Sequence, residues 1–231
     1  MSTSENRRWA LSGPVAVGLW VVGIILINRN GPAEHATGSQ ILAWYKSDSD
    51  SITLGTWLFM LGCLGFVTFV GGLRVRLTEA AGRASQLPML ALVGAGMAAV
   101  CGMLTAAVDL AGGIDKNDIN PSIAAVFHHS VDIFFVGAEL AAVLPLAAVA
   151  IVAWRTRILP RWWAAFAALV AVVLVVGPIG WLGLIFGVPL WTLGTSLLVL
   201  PALARAHADG CNRLRSRDGR RVPGAARFPS R

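Results

Sequence analysis

Apolar residues in this chain neither alternate singly with polar ones nor recur every three to four positions; they gather in runs of eighteen or more, apolar on every side. A soluble helix or strand keeps one polar face, so such runs predict segments surrounded by lipid. They cover roughly 9–27, 52–73, 87–110, 123–154, 162–179 and 182–203. A bilayer core of about 30 Å takes about 20 residues of helix at about 1.5 Å each, so each run is long enough to cross. The fifth and sixth run together apart from Gly177, Pro178 and Gly180, which predict a tight helical hairpin. The expected fold is all-α, a polytopic transmembrane helical bundle of about six spans with N-terminus and C-terminus both inside.

Composition agrees: 56% of the 231 residues are hydrophobic and 13% charged, against roughly a quarter charged in an average soluble domain. Charge then sets the orientation. With the N-terminus inside, sixteen of the nineteen basic residues fall on the cytoplasmic side: Arg7 and Arg8, those in the turns around Arg74 and Arg155, and those in the tail from Arg205 to Arg231. Only Arg29, Lys46 and Lys116 fall outside, the distribution expected of a bacterial cytoplasmic membrane protein. The net charge of +7 therefore implies anionic headgroups as the partner and no nucleic acid. The domain reading is one transmembrane unit over 1–204 and a basic tail over 205–231 with the composition of a disordered segment. Arg7 and Arg8 ahead of the first run are read as flanking a retained span, since no small-x-small cleavage site follows it.

Between the first two runs, 40–46 holds Trp44 and Tyr45, with Thr37 and Ser39 as candidate caps. One or two turns of helix are expected, an interfacial anchor with its aromatic rings in the headgroup layer. In the third run Gly94, Ala98 and Gly102 recur every four positions, a stripe along which another helix approaches closely, within the chain or between copies.

Ionisable residues inside the runs are what membrane architecture leaves over. His128, Asp132 and Glu139 share one helix face within about 40°. Glu139 lies deepest, about 10 Å beyond Asp132 by helical rise. An ionised acid there costs at least ~2.5 kcal/mol, so it must face the interior, find a partner or hold a proton. A held proton is what a general acid or a proton-coupled carrier uses. Thr105 and Asp109 near the end of the third run, with Cys101 one turn deeper, are placed by antiparallel packing at the level of Asp132 and the histidines, which predicts a polar pocket opening outward. Glu139, Asp132, Asp109 and His128 are thus the candidate catalytic residues.

No cofactor or metal is expected. Adjacent His128 and His129 point about 100° apart, and Cys63, Cys101 and Cys211 form no ligand spacing. The segment Asp115, Lys116, Asn117, Asp118 is one acidic cluster where diphosphate chemistry uses two facing ones, and it reads as a solvated turn. Taken together, the Trp44 and Tyr45 segment, the Arg-rich turn at Arg74 and the connection Arg155, Arg157, Pro160, Trp162 make the chain resemble a loose group of small six-span membrane proteins of high-GC bacteria. The resemblance implies a fold and no activity. The reading that follows from the residues is a membrane-embedded enzyme doing acid–base chemistry, of cyclase or isomerase type, on a lipophilic, isoprenoid-like substrate in a cavity shaped by Phe127, Phe134, Phe135 and Trp57. The alternatives are a proton- or cation-coupled transporter and a scaffold subunit, with a homo-oligomer open to either.

Overall fold

A computed structural model describes residues 3–33, 35–82 and 84–199, with side chains from Trp9 onward. The tail over 205–231 and Cys211 lie outside the described residues. The described chain is helical, with no strand: α1 (Thr3–Ile27), α2 (Gly38–Ala81), α3 (Leu87–Ile114), α4 (Pro121–Thr156), α5 (Arg161–Val175) and α6 (Gly177–Val199). Five of these are long and apolar enough to cross a membrane; α5, at 15 residues, is shorter. The chain is a helical membrane protein on that ground.

Helix α5 stops before the expected span does. Val176 is extended at φ −84°, ψ 91°, and Pro178 opens a 3₁₀ turn over Gly177–Ile179, so the predicted hairpin turns at the expected residues. Helix α6 then passes through a π-helical stretch, Gly183–Gly187. Pro189, just beyond it, has no N–H for the Ile185 carbonyl four residues back, which favours irregular backbone there.

The largest departure is α2. Instead of an interfacial turn followed by a separate span, one helix of 44 residues runs from Gly38 to Ala81. Thr37 does cap it, its backbone N–H donating to the Gln40 side-chain Oε1 at 2.8 Å. Trp44 (6% exposed) and Tyr45 (0%) are not anchors in the headgroup layer. They belong to a second core with Ile27, Ile41, Ile52 and Ala124, built where α1 to α4 meet near the α1–α2 and α3–α4 loops. Tertiary burial overrides the local signal, because α3 and α4 extend far enough to cover this face.

Helices α3 and α4 pack antiparallel and closely. A methyl on Gly94 would lie 2.7 Å from Pro145 Cδ and 3.0 Å from the Ala141 carbonyl, the one that Pro145 cannot bond. One on Gly137 would lie 3.1 Å from Cys101 Sγ. Toward α2, Gly102 of α3 faces Cys63 and Phe59, and Gly112 sits against the Tyr45 ring. The small-residue stripe of α3 is therefore used inside the chain. The main core continues toward the opposite end of the bundle around Phe69, Trp163 and Trp191. Helix α4 ends there on Arg157, left-handed at φ 57°.

Candidate functional site

Glu139 is buried, 5% exposed, facing the interior as a membrane acid should. Its carboxyl lies against bare backbone: a methyl on Gly180 would come within 2.6 Å of Oε2. Gly180 starts the helical part of α6 after the 3₁₀ turn, so the absence of a side chain at this one position lets the acid fit beneath the α5–α6 hairpin. No ion pair holds Glu139 among the described residues, where Arg76 and Glu79 form the one pair.

Asp132 shares that helix face and is exposed. The hairpin accounts for the difference, since it turns at the level of Glu139 and leaves the next 10 Å or so of α4 uncovered, by helical rise. The α3–α4 register of Cys101 against Gly137 puts Asp109 level with His129, as the short connection predicts. Asp109 is nevertheless turned away from α4. It is 7% exposed and accepts a 3.1 Å hydrogen bond from the Tyr45 hydroxyl of α2. His128 is half-buried and stands edge-on to Trp44, with ring centroids 5.8 Å apart, and its Nδ1 and the Trp44 Nε1 are both buried without a hydrogen-bond partner.

The four candidates thus occupy four environments: Asp109 with Tyr45, His128 with Trp44, Glu139 under the hairpin, about 15 Å from the level of Asp109 by helical rise, and Asp132 on the surface. The residues that sequence reasoning left out of the site are Tyr45 and Trp44. Tyr45 is the chain's only tyrosine, and a lone phenol about two turns ahead of an apolar run was the available signal.

Solvated groups surround this cap. Hydrogen bonds from Ser47 and Asn30 hold the Asp48 carboxylate below its usual range. Lys116 donates to the Ser49 hydroxyl, while Asp115 and Asp118 form the exposed turn expected of them. Among the described residues no three His, Cys, Asp or Glu side chains gather as a metal site.

A cavity of about 430 Å³ is bounded by α1, α2, α3, α4 and α6. Phe59 and Cys63 of α2, Ala98, Gly102 and Thr105 of α3 and Phe135 of α4 form its inner wall. Of the aromatic residues expected to shape a cavity, Phe135 does so; Trp57 is 56% exposed on the outer surface. The lining residues that are also strongly exposed, Val21, Ile25, Phe186 and Leu190, all belong to α1 and α6. The cavity therefore opens sideways between these two helices. They meet near Gly13 of α1, where a methyl would strike the Ser196 hydroxyl. Its wall contains no Asp, Glu, Lys, Arg or His, and neither Glu139 nor Asp132 lines it. The Thr105 hydroxyl in the wall donates to the Cys101 carbonyl at 3.1 Å.

No protein-family model, curated protein or solved structure matches this chain.

Proposed function

We propose that this is a multi-pass protein of the bacterial cytoplasmic membrane, basic ends inward, whose cavity receives a lipophilic molecule from the bilayer. The apolar cavity open between α1 and α6 carries the reading. Its volume lies in the 300–1,000 Å³ range typical of ligand sites, and the exposed apolar residues at its mouth would face hydrocarbon.

The acid–base enzyme is the second reading, and one observation favours it. Asp109 stands four residues from Thr105 on α3, hence one turn beyond a cavity wall, buried and hydrogen-bonded by Tyr45. Glu139 is buried too, four residues from the wall residue Phe135 and three from Ala142, but its carboxyl lies against Gly180 under the hairpin. Asp132 is on the surface.

Mass spectrometry of lipophilic extracts tests both readings. Extracts from purified wild type, Gly102→Trp and Asp109→Asn, made in the native host at matched membrane levels, should differ. A lipophile bound to wild type and lost from Gly102→Trp supports the binding reading. A compound accumulating with Asp109→Asn, with its product absent, supports the enzyme. Identical extracts from all three would sink both.

A further inference from the structure

We propose that the occupant is a neutral single-chain lipid of about seventeen carbons, seated with its oxygen-bearing end toward Asp109 and its chain toward the cytoplasmic end. This rests on the reading of the cavity as a binding site. The chain length follows from volume: an apolar cavity of 150 Å³ takes one benzene ring, so about 430 Å³ takes about seventeen carbons. One acyl or prenyl chain fits; the two chains of a phospholipid do not.

Neutrality follows from the wall. A carboxylate or phosphate within it would meet no Lys, Arg or His, and a buried charge without a partner is costly. Nor does water drive the insertion, since lipid surrounds the mouth; what favours the bound state is packing against a preformed wall.

Orientation follows from the two ends. The cytoplasmic end is floored by aromatic rings: Phe69 lies 6.2 Å from Trp9 and 6.1 Å from Trp191, centroid to centroid, and Phe66 and Leu193 line the cavity just above. The polar groups there are the indole N–H of Trp20, in the wall beside Phe66, and that of Trp191, both donors only and both without a hydrogen-bond partner. Hydroxyl and carboxyl groups gather at the other end. Thr105 is in the wall. Thr56, fully buried, has a hydroxyl without a hydrogen-bond partner and lies three residues outward of the wall residue Phe59. The Tyr45–Asp109 pair lies just beyond. A hydroxyl or carbonyl entering this end finds donors and acceptors, and an uncompensated buried Thr56 is the kind of group a ligand oxygen satisfies.

Photo-crosslinking of the full-length protein in phosphatidylcholine vesicles tests this with three probes: hexadecanol carrying a diazirine at the chain end, hexadecanol carrying it beside the hydroxyl, and hexadecanoate carrying it at the chain end. The chain-end alcohol should label peptides containing Phe66, Ala142 and Leu193. The head-proximal alcohol should label those containing Phe59 and Thr105. Hexadecanoate should label the cavity several-fold less, and excess unlabelled hexadecanol should abolish the labelling, a readout that needs no variant to fold. A reversed gradient, or equal labelling by hexadecanoate, overturns the proposed orientation or neutrality while leaving the cavity a binding site. Labelling confined to outward-facing positions such as Ile133 and Leu140, and not competed, overturns the binding reading and this inference together.

Discussion

Glu139 shows how much of a residue's behaviour depends on one atom elsewhere. Its burial under the hairpin requires that position 180 carry no Cβ, since a methyl there would sit 2.6 Å from the carboxyl oxygen. Gly180→Ala should therefore lower thermal stability in detergent, and Glu139→Ala should relieve part of that loss, a coupling a double-mutant cycle reads directly. Additive effects would show that the contact carries no energy. Tyr45→Phe tests the other buried acid. It removes the hydrogen bond to Asp109, leaves that acceptor buried and should cost about 1–3 kcal/mol, whereas Tyr45→Phe with Asp109→Asn should recover some of it. Asp48 is a contrast. Its carboxylate is held low by Ser47 and Asn30, so the order it gives to the outer loop is present at neutral pH and lost as pH falls through its lowered folded value. Because the group is fully exposed, amide exchange of residues 28–33 should respond to acid while global stability does not.

At the scale of elements, packing is written in glycines, and they are not equivalent. Gly94 faces Ala141, Leu144 and Pro145, while a methyl on Gly96, two residues away, meets nothing within 4 Å. Gly94→Val should cost about 1–3 kcal/mol through overpacking. Gly96→Ala should be neutral or stabilising by about 0.5–1 kcal/mol, since it adds helix propensity without a clash. Thermal unfolding of the two variants side by side checks the register of α3 on α4, and equal losses would contradict it. Helix α2 carries the larger lesson. Its cap at Thr37 was legible and its length was not, because Ser47, Asp48, Ser49, Asp50 and Ser51 break the apolar run. Hydropathy stops where lipid would stop, but the backbone continues as helix as long as one face is covered. Ile41, Trp44, Tyr45, Ser49 and Ile52 supply that face.

For the whole molecule, the expected topology places Asp48 outside and Arg155 and Arg161 inside. Single cysteines at these positions, in a chain with Cys63, Cys101 and Cys211 replaced, should react with an impermeant maleimide from opposite sides of intact cells. Labelling of both from one side would overturn the six-crossing reading. The hairpin α5–α6 makes this worth measuring: at 15 residues, α5 rises only about 22 Å, less than a full bilayer core, so its turn lies deeper than the outer ends of α2, α3 and α4. That shortfall leaves the lateral cavity open, because α1 and α6 touch near Gly13 and Ser196 and then part.

From the sequence alone came the solvent and the fold class. Runs of eighteen or more apolar residues admit no water-facing surface, and Gly177 with Pro178 stops a helix whatever surrounds it. Lipid exposure and backbone sterics are local properties, carried by the residues that show them. Which acid met which partner was not local. His128, Asp132 and Glu139 share one face of one helix, and their different fates depend on how far the α5–α6 hairpin reaches. Asp109 was legible as an acid near the end of the third run, expected in an outward-opening pocket with Asp132 and the histidines, but its bond to Tyr45 joins residues 64 apart in sequence, and the cavity draws its wall from five helices. Only the tertiary structure decided these, because contact between distant segments depends on helix lengths and registers that no single segment encodes.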